Sequence, residues 1–264
     1  SGYDLCMETG QLVDDTRKQL TRFFNGSNPD RLVFSYNSTD ALNLALFGLL
    51  SAGDHAITTT VEHNSVLRPL YHLAQHHGVE VDHVPFDAQG FVDPDEVAAR
   101  FRPTTRVVAV NHASNVIGTV QPIAEIGRRC RERGIHLVVD ASQTAGKIPI
   151  DVQAMHVDVL AFTGHKSLMG PMGIGGMYVQ EHVEIRHPRA GGTGVRSAYR
   201  AHLDEYPWRM EYGTPNVPGI AGLNAGVKWI EQEGIEAIDA HEMRLARKLV
   251  EGLRAIPGVT LYCQ

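Results

Sequence analysis

The sequence predicts an α/β fold with a mainly parallel sheet. Short apolar, β-branched runs alternate with amphipathic stretches at the spacing of strand–helix–strand units. Some of these runs end directly on polar groups, where α/β proteins keep their ligands. No repeat or low-complexity segment interrupts the series. The 264 residues are 43% hydrophobic and 20% charged, enough for a substantial core and for one large domain or one and a half.

Taken in order, residues 11–24 carry Leu12, Leu20, Phe23 and Phe24 at helical spacing, and Asn25-Gly26 stops that helix. Residues 31–36 read as a strand, followed by Asn37, Ser38 and Thr39 and a helical run over 40–50. Hydroxyls at a strand-to-helix turn are good N-caps, and they also lie where a helix start favours a phosphate. A turn at Ser51-Ala52-Gly53-Asp54 leads into a strand over 55–60, then Glu62-His63 and a helix over 65–77. His72 and His76 stand four apart on it, a spacing that suits a metal, but no third ligand stands out and an exposed pair is expected. Residues 80–84 are a strand, 94–101 a helix, and 106–110 a strand running into Asn111, His112, Ala113, Ser114 and Asn115. The helix over 122–133 opens on proline and stops at Gly134. Strands are expected over 136–139, 158–162 and 174–179, a long Gly-rich loop over 191–208, helices over 217–233 and 235–255, and a last strand over 259–263.

A formal net charge of −6 argues against a nucleic-acid or polyanion binder. No run is long and apolar enough for a membrane span, and the first residues lack a signal-peptide pattern. Cys6, Cys130 and Cys263 are scattered, without metal or redox spacing, so a reducing cytoplasm is the expected location. The ends read as cut, and a longer parent protein is expected.

The chemistry concentrates in residues 136–179. One β-branched run ends on Asp140 with Gln143 three residues later, and the next ends on Thr163, Gly164, His165 and Lys166. A carboxylate at the end of a buried strand is costly unless something cationic meets it. A lysine beyond the neighbouring strand reaches the same crevice. An aldehyde cofactor with a pyridine ring suits both, held by the lysine as a Schiff base and kept protonated on its ring nitrogen by the aspartate. Taken singly, Asp140 reads as a cap of the following turn and Lys166 as a solvated surface lysine; it is their combination at the ends of strands of one sheet that favours the site.

With Asp140-x-x-Gln143, Gly164-His165-Lys166, Glu62-His63 and Asn115-x-x-Gly118 in order, each after a predicted strand, the sequence resembles the fold-type I pyridoxal 5'-phosphate (PLP) enzymes of aminotransferase class V. It is most similar to the cysteine desulfurase and selenocysteine lyase branch. The resemblance runs from the Asn37-Ser38-Thr39 turn to Gly213-Thr214-Pro215-Asn216. It implies a three-layer α/β/α large domain over residues 1–234 and the start of a small C-terminal α/β domain over 235–264. It further implies that Lys166 binds the cofactor and moves protons at the substrate Cα, that Asp140 pairs with the pyridine nitrogen, and that His63 stacks on the ring. Gln143 and Asn115 would serve the cofactor's O3′ and the substrate carboxylate. Ser38, Thr39, Thr163 and His165 would hold the phosphate, and Thr214 would reach the phosphate of a neighbouring subunit in a homodimer. Each polar residue also has a plainer reading, as a buried amide, a helix cap or a turn residue. The implied reaction removes sulfur or selenium from cysteine or selenocysteine, leaving alanine, with a sulfur-acceptor protein as a possible partner and no metal. The nucleophilic cysteine and a carboxylate-binding arginine are expected after Gln264, which would leave this stretch inactive by itself. A class V aminotransferase or epimerase, and a catalytically silent PLP-fold binding protein, remain alternatives.

Overall fold

The computed structural model describes residues 4–261. Its centre is a seven-stranded sheet of β1 (Leu32–Ser35), β2 (His55–Thr59), β3 (Glu80–Val84), β4 (Thr105–Asn111), β5 (His136–Asp140), β6 (Val159–Thr163) and β7 (Gly175–Val179), in the order β1-β7-β6-β5-β4-β2-β3. Strands β6, β5, β4, β2 and β3 pair in parallel, and β7 runs antiparallel to both its neighbours, β6 and β1. The helices are α1 (Asp4–Phe23), α2 (Ser38–Leu49), α3 (Asn64–His77), α4 (Pro94–Ala98), α5 (Ile123–Glu132), α6 (Val217–Glu233) and α7 (Ile235–Arg254).

The central strands β4, β5 and β6 are largely apolar and buried because both faces of the sheet are covered there. Along β5 and β6, Leu137, Val139, Leu160 and Phe162 point to a core shared with Leu20 and Phe24 of α1, Ile126 of α5 and Ile220 of α6. The alternate residues Val138, Val159 and Ala161 point to a second core with Ala41 and Leu42 of α2 and Val66 and Leu70 of α3. The result is a three-layer α/β/α sandwich. Strands β4, β5 and β6 are in register at Asn111, Asp140 and Ala161, so their carboxyl ends finish at one level.

Most expected elements form within a few residues of their predicted bounds. The first helix begins earlier, at Asp4, and the helix at Pro94 stops at Ala98. The predicted strand over 259–263 is not found in 259–261, which are irregular, and Cys263 lies outside the described residues. Helix α7 buries none of its residues fully. No described helix is long and apolar enough to cross a membrane. His72 and His76 are exposed on α3 with ring centroids 4.6 Å apart, as an exposed pair.

Candidate active site

The carboxyl ends of the parallel strands open into a cavity of about 270 Å³, lined among others by Ser38, Thr39, His63, Asn115, Asp140, Gln143, Thr163, His165 and Lys166. Residues from five separate segments therefore meet at one place. Thr214 does not join them: it is exposed in the turn ahead of α6.

Asp140 is the last residue of β5 and is 5% exposed. Its Oδ1 accepts from the Ser142 backbone N–H at 2.9 Å and lies 2.5 Å from Ser142 Oγ. Ser142 Oγ is also 2.7 Å from Ser38 Oγ. A hydroxyl has one proton to give, and the carboxylate is the stronger acceptor, so Ser142 donates to Asp140, with Ser38 Oγ beside it. One carboxylate oxygen is thus held, and Oδ2 accepts no hydrogen bond from the described residues.

The start of α2 forms the opposite wall. Asn37, rather than a hydroxyl, is its N-cap: Asn37 Oδ1 accepts from the Asp40 N–H at 3.0 Å. Ser38 and Thr39 are the first two helical residues, so their N–H groups head the helix without intrahelical acceptors and favour an anion. The Thr39 hydroxyl is engaged with Ser65 Oγ at 2.7 Å, and Ser65 Oγ with His63 Nδ1 at 2.8 Å. His63 caps α3, its Nδ1 accepting from the Ser65 N–H at 3.1 Å. Nδ1 is therefore an acceptor, and the ring proton sits on Nε2. The capping and pocket-lining roles of His63 coexist, because only one ring edge is used by the cap.

The third wall is the turn after β6. Thr163 Oγ1 lies 3.0 Å from His165 Nδ1, and Lys166 follows, exposed and in no ion pair with a described residue. Close backbone packing places this turn. Gly146 has φ +88°, and a Cβ there would stand 2.3 Å from the Ser167 carbonyl oxygen, so only glycine lets the turn after Asp140 lie against the Lys166 turn. At Gly175 a Cβ would come within 2.7 Å of Asn37 Cα, so β7 can run under the α2 cap only without a side chain.

Behind the cavity the polar groups are dry. Glu62 is buried, and desolvation pushes its carboxyl up to about 8. His112 is buried against Thr144 Oγ1 at 2.9 Å, and desolvation lowers it to about 4, so it is a neutral packing group. Cys130 is buried in α5, its thiol pushed up by burial, and neither it nor Cys6 lines the cavity.

The profile of the family described as aminotransferase class-V matches residues 1–264. The chain belongs to the aminotransferase class-V family. Within that family it is 36% identical over 250 residues to a probable cysteine desulfurase of Pyrococcus abyssi, covering 92% of this chain and 62% of that protein. Among solved structures, an apo cysteine desulfurase from Thermococcus onnurineus superposes with a TM-score of 0.90 at 33% identity, over 96% of this chain and 65% of that one. A C-DES variant with glycine covalently linked to its PLP cofactor superposes with a TM-score of 0.86 at 28% identity, over 95% of this chain and 68% of that one. The chain thus spans less than two thirds of the curated relative's length.

For a class V chain, the cavity contains more than the sequence motifs announce. Ser142 and Ser65 fix the polarity of the site, and Asn111 lines it beside Asp140. Asn111 is legible as the polar end of an apolar strand. Ser142 and Ser65 are not, because their partners lie on other segments. At the amino ends of β5 and β6, His136, Asp158 and His182 bring possible ligand atoms within 4.8 Å of one another. There Asp158 is already satisfied by His182 Nε2 at 2.7 Å and by the Leu137 N–H at 2.8 Å.

Proposed function

We propose that this cavity binds PLP and that the whole protein removes sulfur or selenium from L-cysteine or L-selenocysteine, leaving L-alanine. The observation that carries the reading is the convergence of Asp140, Lys166 and the α2 start on one cavity. The three meet the demands of the cofactor: a carboxylate with one free oxygen for a protonated ring nitrogen, an amine for an aldehyde, and helix-end N–H groups for a phosphate. When bound, the cofactor supplies an electron-withdrawing ring that makes a proton at the substrate Cα removable.

The chain's own residues do the rest. Ser142 holds and aims Asp140, so that Oδ2 pairs with the ring nitrogen. His63, its Nδ1 engaged by Ser65, offers a fixed ring face for stacking. Ser38 and Thr39 offer backbone N–H groups to the phosphate, and Thr163 and His165 add side-chain donors. Because the Thr39 hydroxyl is committed to Ser65, its contribution is the main-chain one unless that contact opens. Gln143 and Asn115 reach the ring hydroxyl and the substrate carboxylate. Lys166, in no ion pair with a described carboxylate, moves a proton at the substrate Cα, which needs an amine that is neutral part of the time.

Sulfur leaves by transfer to a thiol: the Cβ–S bond breaks, Cβ takes a proton, and the thiol becomes a persulfide, so no outside oxidant is needed. Cys130 is buried and Cys6 is away from the cavity, so the accepting thiol comes from another part of the whole protein or from a partner protein. Thr214, exposed outside the cavity, is assigned to a neighbouring subunit's phosphate in a homodimer. Residues 1–234 form the PLP-binding large domain, and 235–264 begin a smaller one. A reducing cytoplasm suits the acceptor thiol.

The test uses the full-length protein. With L-cysteine and a reductant it should release alanine and sulfide in equal amounts, and borohydride reduction should trap the cofactor on the peptide containing Lys166. Steady transamination of a keto acid without alanine from cysteine would overturn the reaction. Trapping at another lysine would overturn the site.

A further inference from the structure

The turn between β2 and α3 brings Glu62 into the wall behind the cavity, next to His63. Glu62 Oε1 accepts from Thr59 Oγ1 at 2.6 Å. Glu62 Oε2 is buried without a hydrogen-bond partner among the described residues, and so is Asn111 Oδ1. Asn111 Nδ2 donates to the Val61 carbonyl at 2.6 Å, so the amide's donor side ties β4 to the same turn while its acceptor side is left over. The Asn111 backbone also lies near the Glu62 carboxyl.

The protonation state decides whether this arrangement is tolerable. An ionised Glu62 would leave two buried acceptors without a donor and set a second negative charge near Asp140. A protonated Glu62 has one hydroxyl to donate, and the leftover acceptor on its neighbour is a side-chain carbonyl. The groups facing the carboxyl are Thr59 from β2, Asn111 from β4 and Asp140 from β5, and no lysine or arginine is among them. Burial, then opposed by the Thr59 and Asn111 bonds and aided by repulsion from Asp140, pushes the group up to about 8.

We propose that Glu62 is a positioning residue kept as a neutral acid, its Oε2 hydroxyl donating to the Asn111 side-chain carbonyl. That bond clamps the 61–63 turn to β4, fixes His63 over the cavity, and leaves Asp140 as the sole carboxylate there. The positioning role rests on the PLP reading of the cavity. The protonation state does not.

Both parts are tested with Glu62→Gln, which keeps an acceptor for Thr59 and a donor for Asn111. In cofactor-free protein labelled with ¹³C at glutamate carboxyls, the resonance lost in Glu62→Gln should titrate with a midpoint near 8 in the wild type. A midpoint close to the ordinary glutamate value of about 4.3 overturns the neutral acid. In PLP-loaded protein, the circular dichroism induced in the cofactor band should change with the same midpoint in the wild type and stay flat in Glu62→Gln. A wild-type band unchanged while Glu62 titrates overturns the positioning role. Absence of any cofactor band, with the high midpoint retained, would sink the PLP reading and the positioning role together while the neutral acid stands.

Discussion

Asp140 is held in place by a neighbour two residues away. Ser142 gives it a backbone N–H and a hydroxyl, and Ser38 stands behind that hydroxyl. A hydrogen bond to a charged group is worth about 1.5–3 kcal/mol, so Ser142→Ala should weaken PLP binding about tenfold or more, read by absorbance titration of the cofactor-free protein. Unchanged affinity would remove the hydroxyl from the account. Glu62 has the opposite sign. Its folded-state value lies above the usual 4.5, so folding favours its protonated form: the stability it contributes is fully present below about pH 4.5 and is lost as pH rises through about 8. At 1.36 kcal/mol per pH unit the loss is on the order of 5 kcal/mol, and Glu62→Gln should flatten that part of a plot of Tm against pH. A wild-type plot already level between those values would contradict it. Both residues show the limit of reading a sequence. Asp140 and Lys166 are visible because each closes an apolar run on a reactive group. Ser142 draws its meaning from Ser38, 104 positions away, and the state of Glu62 depends on a burial that no local pattern announces.

At the scale of elements, the α2 start is held by more than its own cap. Glu211, just ahead of the Gly213-Thr214 turn, binds Arg17 of α1 through both carboxylate oxygens at 2.8 and 3.0 Å and accepts from the Phe34 N–H of β1 at 2.7 Å. Arg17 also donates to the Leu32 carbonyl and lies 4.7 Å from the centre of the Phe34 ring. One ion pair thereby joins α1, β1 and the approach to α6. Arg17 is nearly buried, so Glu211→Ala would strand an unpaired charge and should lower stability by about 3–5 kcal/mol, measured by chemical denaturation. A loss within a few tenths of a kcal/mol would show that water replaces the carboxylate. The sequence shows the helix and the strand here, through spacing and β-branching. It does not show that a residue near position 211 closes them, because the partners meet only after the sheet has formed. The helix cap was misplaced for a related reason: Ser38 and Thr39 are good caps by composition, but Asn37 occupies the extended position just before the helix, and that geometry decides.

For the whole molecule, the alternation of strands and helices made an α/β fold with a mainly parallel sheet legible, and the family resemblance implied its three layers. Strand order was not legible. Parallel neighbours β4, β5 and β6 follow the chain, whereas β1 takes its place in the sheet beside β7. Nothing in the composition of either strand specifies that pairing. It arises because β7, with Gly175 and Gly176 at its start, passes closely under Asn37 and Val33 where a side chain would collide.

That placement imposes an order on biosynthesis. Among the described strands β1 finds its sheet neighbour only when β7 arrives, so the start of α2 has no floor until Gly175–Val179 has been translated. A nascent chain halted before Gly175 should leave residues 29–49 open to proteases, and one halted well beyond Val179 should protect them. The cavity is therefore complete on a growing chain only when Lys166 is already behind the ribosome's decoding site.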